Sequence, residues 1–175
     1  VAQHTDTTIL EESRRLGPLV AEILRVAGHR AVCGATTQDV ADALLEECRR
    51  RGLEPAMLGY HGFPAPAAIS VNDELVHGIP SSRVLCAADL VKVELGVVSG
   101  SAFGSQSWTF PVGRTRASDE LLLATGRRAL RAAVAVVSPG HRVGDVGATI
   151  QGVVEGAGLS VVRSFVGYGM GRSRI

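Results

Sequence analysis

The 175 residues suit one domain with a core of its own. Aromatic residues make up 4% against 46% apolar in all, so Val, Leu and Ala must fill the interior, and a base-stacking nucleic-acid surface is excluded. The net charge of +1 comes from mixed signs along the chain, and Arg49-Arg50-Arg51, the one dense basic run, reads as a solvated helix end rather than a nucleic-acid patch.

Thr8 to Glu11 has the form of a capping box opening a helix to about Ala27, with Leu16, Leu19, Val20, Ile23 and Leu24 on one face and Gly17-Pro18 as a site for a kink. A second helix begins near Thr37, carries Asp39 and Asp42 early and arginines late, and stops at Gly52. A short strand follows, Leu53 to Leu58. Further on, "LVKVELGVV" and "SAFGSQSWTF" flank a Ser99-Gly100 turn and predict a β-hairpin ending near Val112. Ser118 is the expected cap of a helix to about Val137, Pro139-Gly140 breaks it, another helix starts at Asp145, and Gly158 releases a strand from Leu159 to Val166.

This order repeats. Asp39-Val40 stands to Gly52-Leu53 as Asp145-Val146 stands to Gly158-Leu159, and at the same offset Leu24 meets Leu130 and Gly34 meets Gly140. Two structural copies are therefore expected. The first continues from its strand into a hairpin, whereas the second has only "GYGMGRSRI" after it, so by internal symmetry the chain stops before a second hairpin. Either further residues belong to the second copy, or the open sheet edge that results is covered by a homo-oligomer contact or a partner chain.

Cys33, Cys48 and Cys86 are odd in number and lack CxxC spacing, which supports neither a disulfide framework nor a zinc site and suits a reducing cytoplasm. No apolar stretch reaches membrane-spanning length and no secretory signal precedes the fold, so no membrane partner is expected. Lys92, the single lysine among 18 basic side chains, reads as a mark of a GC-rich genome.

With a two-residue Ser99-Gly100 loop, Glu94 would face Ser105 and Lys92 would face Ser107. One hairpin face is then apolar, with Val91, Val93, Leu95, Val97 and Trp108, and the other gathers Lys92, Glu94, Ser105 and Ser107. "GSQSW" around Ser105 lacks the second glycine and the strand-to-helix turn of a nucleophile elbow. "GYGMGR" lacks the lysine of a phosphate loop, and His4, His29 and His141 read as surface residues.

The motifs "GYHGFP", "SVNDELVHGIP", the hairpin ending "TFPVG", and "GLSVVRSFVGYGMGR" resemble, in order and spacing, the type I methionine aminopeptidases. The resemblance covers nearly the whole chain. It implies the pita-bread (creatinase/aminopeptidase) fold, an α/β (α+β) domain over residues 1–175 with two pseudo-symmetric halves around a curved antiparallel sheet. The first half would span about 5–113, and the second, incomplete, would begin at about 114. The family's chemistry uses two bridged divalent metals held by two hairpin aspartates, a histidine and two glutamates, with further histidines handling substrate and protons.

Carried over by position, the first aspartate is Glu94, the second is Ser105, the metal-binding histidine is Tyr168, and the later catalytic histidine is Ile175. Both glutamate positions fall beyond this sequence. His77 in "VHGIP" and His61 in "GYHGFP" match the family's pocket residues. The resemblance thus implies a scaffold without its dinuclear metal centre and with no other cofactor. His77, Tyr168 and Glu94 become the candidate catalytic groups, and Tyr60, His61, Phe63, Ser105, Ser107 and Trp108 the lining for a small-molecule or short peptide-like ligand. A metal-independent acid-base enzyme of bacterial specialised metabolism is the expected function; a binding protein without catalysis is the alternative, and a working metalloaminopeptidase the reading least favoured.

Overall fold

The computed structural model describes residues 7–100 and 102–166, in two compact units that divide between Thr115 and Arg116. In the first, α1 (Thr7–Arg30) and α2 (Thr37–Arg50) pack on a four-stranded antiparallel sheet of β1 (Glu54–Pro55), β2 (Ala68–Val71), β3 (Leu90–Ser99) and β4 (Ala102–Pro111). β3 is central: β4 runs along one edge for its whole length, and β2 and β1 share the other end to end.

The core is what helical and strand periodicities dictate. Leu16, Val20, Ile23, Leu24 and Ala27 recur along one stripe of α1 and are buried, as are Val40, Leu44 and Cys48 of α2. Val91, Val93, Leu95 and Val97 alternate along β3 and complete the same cluster. Leu19, expected on the buried stripe, is only partly buried at its margin. α1 runs as one helix through Pro18, a turn longer than expected, and Thr8 already lies inside it rather than capping it. The Gly17 carbonyl accepts a bond from the Gln106 side chain of β4 at 2.7 Å.

α2 opens with a reciprocal cap. The Thr36 N–H donates to the Asp39 carboxylate at 2.7 Å, and the Asp39 N–H donates to the Thr36 hydroxyl at 3.1 Å. At its other end, Glu47 accepts from Arg50 at 2.6 Å and from Arg51 at 2.8 Å, while Arg51 reaches Glu22 of α1 at 2.6 Å. Arg50's hydrogen bonds, then Arg51's, hold the Glu47 carboxyl down at about 2, against an ordinary value of 4.5. A carboxyl depressed by folding stabilises the fold fully above its unfolded value, and that contribution disappears as pH falls from 4.5 through about 2. Because water screens the exposed Arg50 and reaches the partly covered Arg51, it amounts to less than about 1 kcal/mol. Urea midpoints near neutral pH and near the bottom of that window should separate wild type from Glu47→Gln only in the former.

The strand expected over Leu53–Leu58 shrinks to Glu54–Pro55, because Pro55 has no N–H to extend the ladder. β2 has no counterpart in the sequence reading; all four of its residues are buried.

The second unit holds α3 (Ala117–Val136) and α4 (Val143–Glu155). α3 starts just before Ser118: the Arg116 N–H donates to Asp119 at 3.3 Å, so Arg116 occupies the cap position. α4 likewise starts before Asp145, whose carboxylate takes the Arg142 N–H at 2.7 Å. The repeat is visible atom by atom. Gly34 and Gly140 both sit at positive φ, 89° and 95°, and Gly52 and Gly158 do the same at 66° and 74°. The Leu53 N–H donates to the Cys48 carbonyl at 2.9 Å, and its copy Leu159 donates to Val154 at 3.2 Å.

The expected strand Leu159–Val166 does not form among the described residues. A strand needs a neighbour for its backbone groups, and no described strand of this unit supplies one. Val162, Phe165 and Val166 stay exposed, and Leu122, Ile150, Val154, Leu159 and Phe165 line an open groove of about 590 Å³. Thr125, 1% exposed, has a hydroxyl with no hydrogen-bond partner on that groove.

Candidate functional site

The candidate site is built on the sheet face opposite the Val91–Val97 row. Ser70 of β2, Lys92 of β3 and Thr109 of β4 lie in one cross-strand row, and Ala68, Glu94 and Ser107 in the next. This corrects the expected register. Ser99 pairs with Ala102, so the turn comes one residue later than Ser99-Gly100. Ser107 faces Glu94, Thr109 faces Lys92, and Ser105 faces Gly96. The shift is by two, so each side chain keeps its face. Ser105 is thereby diagonal to Glu94, about 7 Å away at Cα.

Lys92 is half-buried. Its ammonium donates to the carbonyl oxygens of Leu75 and, at 3.4 Å, Glu74. Burial lowers its pKa, and the negative charge of Glu94, on the same face, opposes that shift. The loop it grips carries His77. Glu74 fastens the loop further, its carboxylate accepting from the Val71 N–H at 2.7 Å and from Arg83 at 2.8 Å.

Gly78 lays the loop against β2. Its carbonyl accepts from the Ile69 N–H at 2.8 Å, and its N–H donates to the hydroxyl of Ser70, which is 2% exposed, at 3.1 Å. His77 is therefore held beside the row that contains Lys92. The imidazole is exposed, and Leu75, Val76 and Ile79 around it expose apolar surface.

Among the described residues, four that are not glycine adopt left-handed backbone: His61 (φ 47°), Asn72 (57°), His77 (56°) and Ala88 (72°). Such strain collects at functional sites, and both candidate histidines carry it. Asn72 is supported by its amide, which donates to Asp89 at 2.8 Å and accepts from the Leu90 N–H at 2.9 Å.

Glu94, Ser105 and Ser107 thus share a face, and His77 is stationed at its β2 side. Tyr60, His61 and Phe63 belong to a separate turn before β2, closed by the Gly59 N–H on the Phe63 carbonyl at 2.8 Å. The Tyr60 and His61 rings meet edge to face at 4.4 Å. Trp108 faces Val93, so it lies on the opposite side of the sheet from Glu94. Tyr168 and Ile175 lie outside the described residues. None of the described predicted residues lines the groove of the second unit. Lys92, placed on the polar face from sequence, has no role assigned there; its signal is a sole lysine two residues from Glu94 on a polar strand face.

A family model described as "Metallopeptidase family M24" matches residues 11–174. Methionine aminopeptidase 1 of Bacillus subtilis is 34% identical over 94% of this chain and 65% of its own length. Methionine aminopeptidase A of Synechocystis is 36% identical over 93% of this chain and 65% of its own. The chain therefore spans about 65% of the length of these curated relatives. The crystal structure of methionine aminopeptidase from Thermotoga maritima superposes with a TM-score of 0.94 at 34% identity, covering 98% of this chain and 70% of that one. Escherichia coli aminopeptidase P shares the fold alone, with a TM-score of 0.76 at 15% identity over 87% of this chain and 34% of that one. With the open antiparallel sheet and the helix pairs described above, these matches establish the pita-bread fold. The chain belongs to metallopeptidase family M24 and is methionine-aminopeptidase-like.

Proposed function

We propose that this chain acts on a methionine-aminopeptidase-like scaffold as a metal-independent acid-base enzyme, taking a small amino-acid-derived molecule or short peptide-like ligand in specialised metabolism in the cytoplasm. The observation that carries this reading is the charge on the polar sheet face. Glu94 is accompanied there by the ammonium of Lys92 and faces the hydroxyl of Ser107.

The family implies metal ions, and the donor set of the described residues does not fit a pair of them. Serine is a weak neutral ligand, and the ammonium already supplies positive charge next to the one carboxylate on this face. Among the described residues, no group of three or more His, Cys, Asp or Glu side chains is placed to hold an ion. In this reading His77 carries a proton to and from the ligand, Tyr168 offers a phenol to a developing oxyanion, and Glu94 orients one or the other. Ser105 and Ser107 bind polar ligand atoms, and the apolar lip of Leu75, Val76 and Ile79 sheds water. Isomerisation, cyclisation, elimination or hydrolysis would suit this set. A homo-oligomer or partner chain on the sheet edge is part of the same proposal, since β4 pairs only with β3 among the described residues.

Elemental analysis of protein purified without chelator, together with hydrolysis of a methionyl tripeptide, tests the reading. The expected result is no stoichiometric transition metal and no chelator-sensitive cleavage. A pair of tightly bound ions per chain, or cleavage abolished by chelator, overturns it. Comparing cellular products of His77→Ala and Tyr168→Phe strains then separates enzyme from binding protein, which would leave them unchanged.

A further inference from the structure

Cys33 and Cys86 are distant in sequence, and both are exposed. The backbone brings their neighbours Gly34 and Leu85 into direct contact. Thr36 pairs antiparallel with Val84, bracketed by Thr37 N–H to Arg83 carbonyl at 3.0 Å and Leu85 N–H to Ala35 carbonyl at 2.8 Å. That pattern marks a non-hydrogen-bonded pair. One step on, the Gly34 N–H donates to the Leu85 carbonyl at 2.9 Å, so Gly34 and Ala35 together face Leu85. This is a glycine bulge, and Gly34 takes the required positive φ of 89°.

Cys33 precedes Gly34 in a turn that the Ala35 N–H closes on the Val32 carbonyl at 3.1 Å, and Cys86 follows Leu85, so the two cysteines flank the Gly34–Leu85 bond. Residues on either side of one backbone hydrogen bond lie close to the Cα separation of roughly 4.4–6.8 Å that disulfides span. Exposure agrees with this placement: Val84 and Cys86 are exposed, and Leu85 between them is fully buried. The Cys86 sulfur now lies 3.9 Å from the Val84 carbonyl, and rotation about χ1 would turn it toward its partner.

We propose that Cys33 and Cys86 are a redox pair that closes into an intramolecular disulfide when the chain meets a small disulfide oxidant. One cysteine thiolate attacks the oxidant's S–S bond, forming a mixed disulfide and releasing one thiolate. The other cysteine thiolate then attacks the protein sulfur of that mixed disulfide, forming the Cys33–Cys86 bond and expelling the second small thiolate. The protein gives up two electrons and two protons; the oxidant takes both electrons, and its thiolates take the protons. Cys48 is a bystander, fully buried and with its thiol pushed up to about 11 by burial. The closed loop contains α2, β1, β2 and the segment with His77, so oxidation would tie down the base of that segment.

The test is incubation of the whole chain with glutathione disulfide, alkylation in denaturant and mass mapping of the peptides. A Cys33–Cys86 cross-link within one chain, with Cys48 alkylated, is expected. The oxidised protein should also melt at a higher temperature, reversed by dithiothreitol. Cys48→Ala should keep the cross-link, and Cys33→Ser should leave glutathione on Cys86. Persistent glutathione on both exposed cysteines, a bond between two chains, or no reaction would each overturn the proposal.

Discussion

Replacing Gly78 by alanine is expected to cost the first unit about 3 kcal/mol or more and to release His77 from its station. A Cβ at this position would lie 2.2 Å from the carbonyl oxygen of Ile69, 2.8 Å from its carbon and 2.9 Å from the Cα of Ser70. All three are backbone atoms of the buried strand β2, so no flexible side chain can swing aside. Relief requires residue 78 to leave the strand, which breaks both its bonds to β2 and strands the buried hydroxyl of Ser70. His77 precedes the point of collision and moves with it. Urea denaturation measures the first effect, and the His77 imidazole resonance the second. Gly126→Ala in α3 is the control, since a Cβ there meets nothing within 4 Å. A Gly78→Ala midpoint equal to that control would refute the close approach on which the site's geometry rests.

What the sequence revealed was local, and what it hid was long-range. The repeat was legible because caps and terminal glycines are written in neighbouring residues: Asp39 and Asp145, Gly52 and Gly158 do the same work in each copy. The two faces of the hairpin were legible because side chains alternate with period two. Glu94, Ser105 and Ser107 kept their common face although every partner moved by two residues.

The register itself was not legible. Ser99-Gly100 and the two residues after Ser99 are equally plausible turns, and only pairing across the strands decides between them. β2 was missed because a four-residue segment with Ser70 as its one polar residue is too short to show an alternation. Leu159–Val166 has strand composition, but composition cannot provide a pairing partner. Lys92 looked like a codon signature until its contacts with Glu74 and Leu75 were seen. The Cys33–Cys86 pairing was hidden for the same reason, since a bulge at Gly34 creates it from segments far apart in the chain.

The repeat also supplies a paired stability experiment. Leu16 in α1 and Leu122 in α3 are equivalent positions, yet Leu16 is 0% exposed and Leu122 48%. Leu16 owes its burial to the sheet: the Cβ of a residue at Gly104 of β4 would come within 2.9 Å of it, so backbone and side chain already touch closely there. Leu16→Ala should therefore lose both its transfer energy and a filled site, about 3–4 kcal/mol. Leu122→Ala removes a side chain that water already reaches and should cost less than about 1 kcal/mol. Trp108, the single tryptophan, belongs to the first unit and reports its unfolding by fluorescence, while far-UV circular dichroism sums the helices of both units, so the second unit is read from the dichroism change that does not follow the fluorescence transition. Equal losses would contradict the exposure of α3. They would mean that in solution Leu122 is covered as Leu16 is, and that the apolar face of α3 and α4 is an occupied interface.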